Sequence, residues 1–146
     1  MTRLTQNFTL DELTHSDYAV RHGINNEPSP YVIQNLKTLA EGLEIVRELL
    51  NNSPVNVNSG YRGLELNRRL GGAGNSAHLT GLAADFTARR FGSPMTIVRK
   101  LRDSGLKYDQ LIYEGTWVHI SFDPKMRQQT LTATFKNGKA TYKEFK

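Results

Sequence analysis

The sequence predicts an α+β domain in which helices pack on one face of a largely antiparallel sheet, leaving a cleft on the other face. Two observations lead to this prediction. Helix signals come first along the chain, and the strand-like segments are concentrated later, where short turns link them as hairpins. A length of 146 residues suits a single domain, residues 1–146, because a chain of this size can bury a core of its own.

The predicted helices are recognised by the residues that cap them. The segment "FTLDEL" starts with Thr9 as N-cap and has Glu12 three residues later, which is a capping box. The main core helix starts at "SPYVIQNL", where Ser29 caps and Pro30 suits the first helical position, and its apolar residues recur with helical spacing. A second Ser-Pro start opens "SPMTIVRKLRDSG", and Gly105 ends that helix.

The predicted strands are recognised by alternation and by turn residues. The segment "VNVNS" alternates, a short helix over "LELNRRL" follows it, and "LAADFTA" is a predicted buried strand. The loop "GT" joins "YDQLIYE" and "WVHISF" in one hairpin, and Asn137 with Gly138 closes a second between "TLTATF" and "ATYKEF". In "WVHISF", alternation puts Val118 and Ile120 toward the core and His119 on the opposite face.

Candidate metal ligands lie on two of these strands and on the turn before one of them. The chain has no cysteine, so a metal site must use His, Asp or Glu. Along "SAHLTGLAAD", His78 precedes a turn relieved by Gly81, and Asp85 ends the apolar run. With His119, these residues offer two nitrogens and one carboxylate, which leaves a fourth tetrahedral position open, as in catalytic zinc sites. The spacing alone leaves open that the histidines are packed, hydrogen-bonded core residues.

Glu114 is the candidate general base. A two-residue loop at "GT" places Glu114 opposite Trp117 and diagonal to His119, which suits a carboxylate that acts on a water rather than a shared ligand. Asp109 is the second candidate, although alternation along its strand places it on the other face. The alternative interpretation is a glutamate that is merely solvated at a hairpin end.

At these residues the sequence resembles the zinc peptidases of the D-alanyl-D-alanine carboxypeptidase and dipeptidase family, which includes phage endolysins. The family pattern is Ser-x-His, then x-x-Gly-x-Ala-x-Asp, and later an acidic residue shortly before Trp-x-His. The matching residues here are Ser76, His78, Gly81, Ala83, Asp85, Glu114, Trp117 and His119. The resemblance covers residues 28–122 and includes "VNSGYR", where the family places a substrate-binding arginine, here Arg62.

The resemblance implies a zinc peptidase that cuts peptidoglycan stem peptides with a single zinc ion per chain. The implied site residues are the metal ligands His78, Asp85 and His119, the catalytic residues Glu114 and Arg62, and the substrate-binding residues Ser76, Trp117 and Arg62. Arg62 clamps a substrate carbonyl or carboxylate, and Trp117 lines the cleft. Three bonds stay open as the one that is cut: L-alanyl-D-glutamate, D-alanyl-D-alanine, or an interpeptide bridge.

The spacing of the base departs from part of this family. In the dipeptidase branch the acidic residue lies three residues before the last histidine, but position 116 is Thr, and Glu114 lies five residues before His119. The longer offset is similar to that of the hedgehog signalling domain, which shares the fold and the zinc site. The alternative function is therefore a zinc-containing virion or tail component that binds the wall without cutting it. A competent base at Glu114 favours hydrolysis.

The charge of the chain is concentrated near its C-terminus. Residues 125–146 hold six Lys and Arg against Glu144 alone, which accounts for the formal net charge of +5. This basic hairpin, residues 130–145, is expected to bind an anionic cell wall or to be a solvated edge. Nucleic acid is not an expected partner, because the lysines form no patch interleaved with aromatic residues.

Targeting signals are not recognised in the sequence. No segment has the length of a membrane span or the apolar core of a signal peptide. We therefore expect synthesis in a host or bacterial cytoplasm, and the resemblance implies that the protein acts at the cell wall. We also expect a monomer.

Overall fold

The computed structural model describes residues 2–146 of the predicted domain and confirms the α+β class. Over these residues the α-helices are α1 (Leu10–Thr14), α2 (Asp17–Arg21), α3 (Pro30–Leu49), α4 (Leu64–Arg69) and α5 (Pro94–Asp103). The strands are β1 (Arg3–Thr5), β2 (Phe8–Thr9), β3 (Asn56–Ser59), β4 (Ala83–Thr87), β5 (Gln110–Tyr113), β6 (Val118–Ser121), β7 (Gln129–Lys136) and β8 (Lys139–Glu144). A short 3₁₀ helix, Ala77–Thr80, precedes β4. Within residues 2–146, the helices are all too short or too polar to cross a membrane.

The main sheet has six strands in the order β3-β4-β6-β5-β7-β8. All neighbouring strands are antiparallel except β5 and β7, which are parallel. This exception follows from the connections, because the chain reverses once after β5 and once more after β6, so β7 runs in the same direction as β5. Strands β1 and β2 form a separate antiparallel pair.

The capping residues that predicted the helices make the expected hydrogen bonds. The Thr9 hydroxyl accepts the Glu12 N–H at 3.2 Å, and the Glu12 carboxylate accepts the Thr9 N–H at 3.4 Å, which confirms the capping box. At the start of α3, the Ser29 hydroxyl accepts the Val32 N–H at 3.3 Å. Gly105 follows α5 with a left-handed φ of 85°, as its predicted role in ending that helix requires.

The core lies between the sheet and helices α3 and α5. Leu39 and Leu43 of α3 and Leu101 of α5 are fully buried in one apolar cluster with residues of β4, β5 and β6. Each such side chain contributes about 1.5–3 kcal/mol through burial. A Cβ at Gly42 of α3 would lie 2.5 Å from the Phe122 ring, so the glycine lets this ring pack directly against the helix.

The two faces of the sheet carry different residues, as alternation predicted. Val118 of β6 pairs with Phe86 of β4 and is fully buried on the helix side. In the next row of paired residues, Asp85, His119 and Ile112 lie side by side on the opposite face. We call this opposite face the site face.

Asp109 anchors the loop that leads from β6 into β7. Its Oδ1 accepts the Arg127 backbone N–H at 2.9 Å and Nε at 2.8 Å, and its Oδ2 accepts Nη2 at 2.9 Å. Asp109 is only 1% exposed. The hydrogen bonds from Arg127 hold the pKa of Asp109 below its ordinary value of 3.8. Its carboxylate is therefore occupied by a structural ion pair.

We expect Asp109→Asn to lower the free energy of unfolding at neutral pH by about 1–3 kcal/mol, because a buried charge-assisted hydrogen-bond group is weakened. The ion pair contributes its full stability above the unfolded-state pKa of Asp109. That stability is lost as the pH falls through the lower folded-state pKa. Urea unfolding at a series of pH values below neutral therefore shows a smaller acid-induced loss of stability in the variant. Parallel stability curves for the two proteins would contradict this assignment.

Candidate metal centre

Three predicted residues converge on the site face. His78 comes from the 3₁₀ helix, Asp85 from β4 and His119 from β6, and one potential ligand atom of each lies within 4.8 Å of the other two. Asp85 Oδ1 lies 3.4 Å from His78 Nε2 and 3.0 Å from His119 Nδ1. The two imidazole centroids are 5.1 Å apart.

Strand register and one tight turn create this convergence. Asp85 and His119 are direct partners in the β4–β6 pair, so they share a face. Gly81 ends the 3₁₀ helix with a left-handed φ of 81°, and a Cβ there would lie 3.0 Å from a Val32 methyl. Only glycine combines this conformation with this close packing, and the turn directs His78 over the start of β4.

Ser76 lies at the start of the same turn. Its hydroxyl accepts the His78 N–H at 3.2 Å, which caps the 3₁₀ helix. The side chain thus helps to position His78, and its predicted contact with substrate stays a prediction.

The electrostatics of the three residues suit a cation. Burial lowers the pKa of His78, which favours the neutral imidazole that binds metals. Burial alone would raise the pKa of Asp85, but His78 and His119 hold it well below its ordinary value. Burial likewise opposes protonation of His119, but hydrogen bonding to Asp85 and its charge raise the pKa of that imidazole. A partly buried carboxylate, 13% exposed, is thus held ionised between two imidazoles.

The orientation of His78 supports the same conclusion. Its Nδ1 lies 2.7 Å from the Gly60 carbonyl oxygen, and its Nε2 is directed toward Asp85. A hydrogen bond from one ring nitrogen to a backbone carbonyl fixes the tautomer and presents the other nitrogen as a ligand. Two imidazole nitrogens and one carboxylate are a donor set that fits zinc.

Glu114 lies beside this group. The Glu114 N–H donates to the Trp117 carbonyl at 3.2 Å, which confirms the predicted opposed pair. Glu114 Oε1 accepts the Trp117 indole N–H at 2.8 Å. Burial and the charge of Asp85 raise the pKa of Glu114, although His119 and the indole hydrogen bond oppose the shift. Asp109, the second candidate base, is engaged by Arg127 on the opposite side of its strand.

Arg62 borders the group from the other side. Its backbone N–H donates to the His78 carbonyl at 3.0 Å. Burial lowers the pKa of Arg62, and the charges of Asp85 and Glu114 oppose that effect. The guanidinium Nε is buried and has no hydrogen-bond partner among the described residues. Arg62 also lines a cavity of about 280 Å³, whose lining does not include His78, Asp85 or His119.

Asn26 is a site-positioning residue that the sequence did not predict. Its amide nitrogen donates to the carbonyls of Thr14 at 2.9 Å and Tyr61 at 3.1 Å, and its oxygen accepts the Gly63 N–H at 2.7 Å. Tyr61 and Gly63 flank Arg62, so one side chain holds the backbone on both sides of the arginine. Asn26 lies 35 residues before Tyr61 in an irregular segment, where no periodicity marks it.

We expect Asn26→Ala to lower the free energy of unfolding by about 1–3 kcal/mol, because it leaves partly buried backbone groups without partners. The amide of Gly63 should also exchange with deuterium faster than in the parent protein. The matched control is Asn25→Ala, because Asn25 only accepts the Glu27 N–H in an exposed turn. Equal stability and equal Gly63 protection in both variants would contradict the role of Asn26.

An α+β domain whose sheet face carries a His-Asp-His group belongs, by its donor set, to the class of domains with a candidate zinc site. Residues 6–121 match the family model described as Peptidase M15, so the chain belongs to that family. A segment of 46 residues is 41% identical to the zinc D-Ala-D-Ala carboxypeptidase of Streptomyces albus G, and it spans 32% of this chain and 18% of that protein. Family membership and the donor set together indicate zinc as the cofactor.

Proposed function

We propose that this protein is a zinc peptidase that hydrolyses a peptidoglycan stem-peptide bond involving a D-amino acid, of the L-Ala-D-Glu or D-Ala-D-Ala type. The observation that carries the proposal is the convergence of His78, Asp85 and His119 beside Glu114 in a Peptidase M15 chain. The carboxypeptidase from Streptomyces supports a D-alanyl peptide as substrate. The proposed place of action is the bacterial cell wall, in wall degradation or in phage lysis.

The three proposed ligands are His78, Asp85 and His119. Zinc held there supplies Lewis acidity, which polarises a substrate carbonyl and lowers the pKa of water. Glu114 acts as the general base: its carboxylate takes a proton from the attacking water and passes it to the leaving amine. Because the Trp117 indole N–H donates a hydrogen bond to Oε1, the other carboxylate oxygen, Oε2, takes this proton.

The other residues bind and orient the substrate. The Arg62 guanidinium hydrogen-bonds the substrate carbonyl or carboxylate, a task that suits its fixed donor geometry. Its buried Nε supports this role, because the donor has no partner among the described residues. Trp117 lines the cleft with apolar surface, and Ser76 keeps His78 in place by capping its turn.

The proposal is tested by digesting purified peptidoglycan with the protein and identifying the products by mass spectrometry. New amine ends that disappear with a chelator and return with added zinc support the peptidase and identify the bond. A metal count on the same preparation separates the alternatives. Bound zinc without cleavage would favour the non-cutting, wall-binding component, and protein that takes up no zinc would contradict the site itself.

A further inference from the structure

The C-terminal hairpin extends the site face beyond the region that matches the family. Residues 122–146 lie outside the match, and β7 and β8 add two strands to the sheet. Tyr113 pairs with Thr132, so the next residue, Glu114, lies beside Ala133. Ala133 in turn pairs with Tyr142 of β8. The site face therefore continues from the candidate base to Tyr142.

This extension carries aromatic rings that are open to solvent. Phe135 and Tyr142 are each 53% exposed, and the Phe135 ring centroid lies 6.4 Å from that of Trp117. The strand register places Tyr142 on the same face as Asp85 and Glu114, and burial together with the charges of these two carboxylates raises the pKa of Tyr142. Ala133, which lies on this face between the two strands' partners, is itself only 9% exposed.

The part of the hairpin that lies on the site face has little net charge, although the hairpin as a whole is basic. Lys143 pairs with Thr132, and Thr132 pairs with Tyr113, so Lys143 lies on the helix side of the sheet. Lys136 and Lys139 pair with each other on that same side. The three lysines therefore point away from the site face. The hairpin positions on the site face are Leu131, Ala133, Phe135, Ala140, Tyr142 and Glu144.

We propose that Trp117, Phe135 and Tyr142 form a subsite for a neutral peptide segment of the substrate, on one side of the bond that is cut. We call these three residues the aromatic subsite; the inference rests on the proposed peptidase function. Apolar rings bind small neutral side chains, and the Tyr142 hydroxyl donates a hydrogen bond to a peptide carbonyl. A polyanionic segment is disfavoured, because the nearest charges on this face are carboxylates.

The distance from the reacting centre favours peptide as the occupant. Neighbouring strands are about 4.8 Å apart, so Tyr142, two strands from Glu114, lies at about 10 Å from it across the sheet. An extended peptide spans about 3.3–3.6 Å per residue. A bound substrate therefore contacts the aromatic subsite with a residue that lies two to three residues from the cleaved bond. At that distance the substrate of a peptidase is still peptide.

Trp117 is the only tryptophan in the chain, so its fluorescence reports binding without any turnover. The zinc-loaded Glu114→Gln protein is titrated with acetylated alanine peptides that end in D-Ala-D-Ala, from a dipeptide to a pentapeptide. We expect affinity to rise with peptide length. Adding Tyr142→Ala should weaken pentapeptide binding by about five- to tenfold and leave dipeptide binding unchanged.

Two variants separate contact with the ligand from damage to the hairpin. Tyr142→Phe keeps the ring and should lose only part of the affinity gained with length. Lys143→Ala alters the neighbouring residue on the opposite face and should bind every peptide like the parent protein. Equal thermal stability of the variants shows that the hairpin is intact.

Pentapeptide binding that is insensitive to both Tyr142→Ala and Phe135→Ala would overturn the aromatic subsite. A glycan disaccharide without peptide that binds in a manner dependent on Tyr142 would also overturn it, in favour of a sugar. If the unmutated enzyme cleaves peptidoglycan in these cases, the peptidase function stands and only the subsite fails. Absence of both cleavage and peptide binding would overturn both.

Discussion

Glu114→Gln is expected to reduce peptidoglycan hydrolysis by at least about 10²–10⁴-fold while zinc content stays unchanged, because general-base catalysis contributes about this factor. Glutamine has nearly the shape of glutamate, and its amide oxygen still accepts the indole N–H that Trp117 donates to Oε1. The amide has no basic oxygen that takes a proton from water. The variant therefore keeps the geometry of the site and loses its proton acceptor.

The measurement combines the rate of amine release from peptidoglycan with a metal count on the same protein. Glu144→Gln is the matched control, because Glu144 is an exposed glutamate on the site face at the outer strand. It should retain both activity and zinc. If Glu114→Gln hydrolysed at the parent rate, the base would lie elsewhere, and Asp109 would be tested next by Asp109→Asn despite its ion pair with Arg127.

Local sequence signals predicted the elements whose structure depends on neighbouring residues. The capping box at Thr9 and Glu12 and the Ser-Pro starts are decided within one helical turn, so they could be read without knowledge of the fold. The hairpin at Asn137 and Gly138 is equally local, since both residues adopt the positive φ that such a turn demands.

Elements that depend on distant contacts were not predicted. The short β1–β2 pair is fixed to α3 by Asn7, whose N–H and side-chain amide donate to the Glu44 carboxylate at 2.6 and 2.7 Å. Helix α2 has only five residues, too few for a periodic pattern. The parallel pairing of β5 with β7 brings Tyr142 toward Glu114, and neither strand contains a sequence feature that specifies its partner.

The site itself was predictable in part. Strand alternation and the family pattern both indicated the same three residues, His78, Asp85 and His119. The structure brings all three together. The side chain of Asn26 acts through backbone groups, so no chemical signature marks it in the sequence. Residues that hold a site through the main chain are therefore the ones that sequence reasoning misses.

His78→Ala is expected to lower zinc affinity by more than about 100-fold and to abolish hydrolysis, because even the loss of groups that only orient a ligand costs about 10–100-fold. The substitution also removes the partner of the Gly60 carbonyl and a side chain that is only 2% exposed. We therefore expect an additional loss of about 1–3 kcal/mol in unfolding free energy that has no connection with zinc.

The dependence of stability on zinc separates these two effects. A ligand that binds only the folded state raises the free energy of unfolding by RT ln(1 + [L]/Kd), so the parent protein gains stability as zinc is added. His78→Ala should show a low, flat stability across the same titration. His22→Ala, at an exposed histidine that only stacks on Tyr18, should follow the parent curve. A rise with zinc in His78→Ala equal to that of the parent would exclude His78 as a ligand. A variant that is only destabilised still gains stability as zinc is added, whereas a variant that has lost a ligand does not.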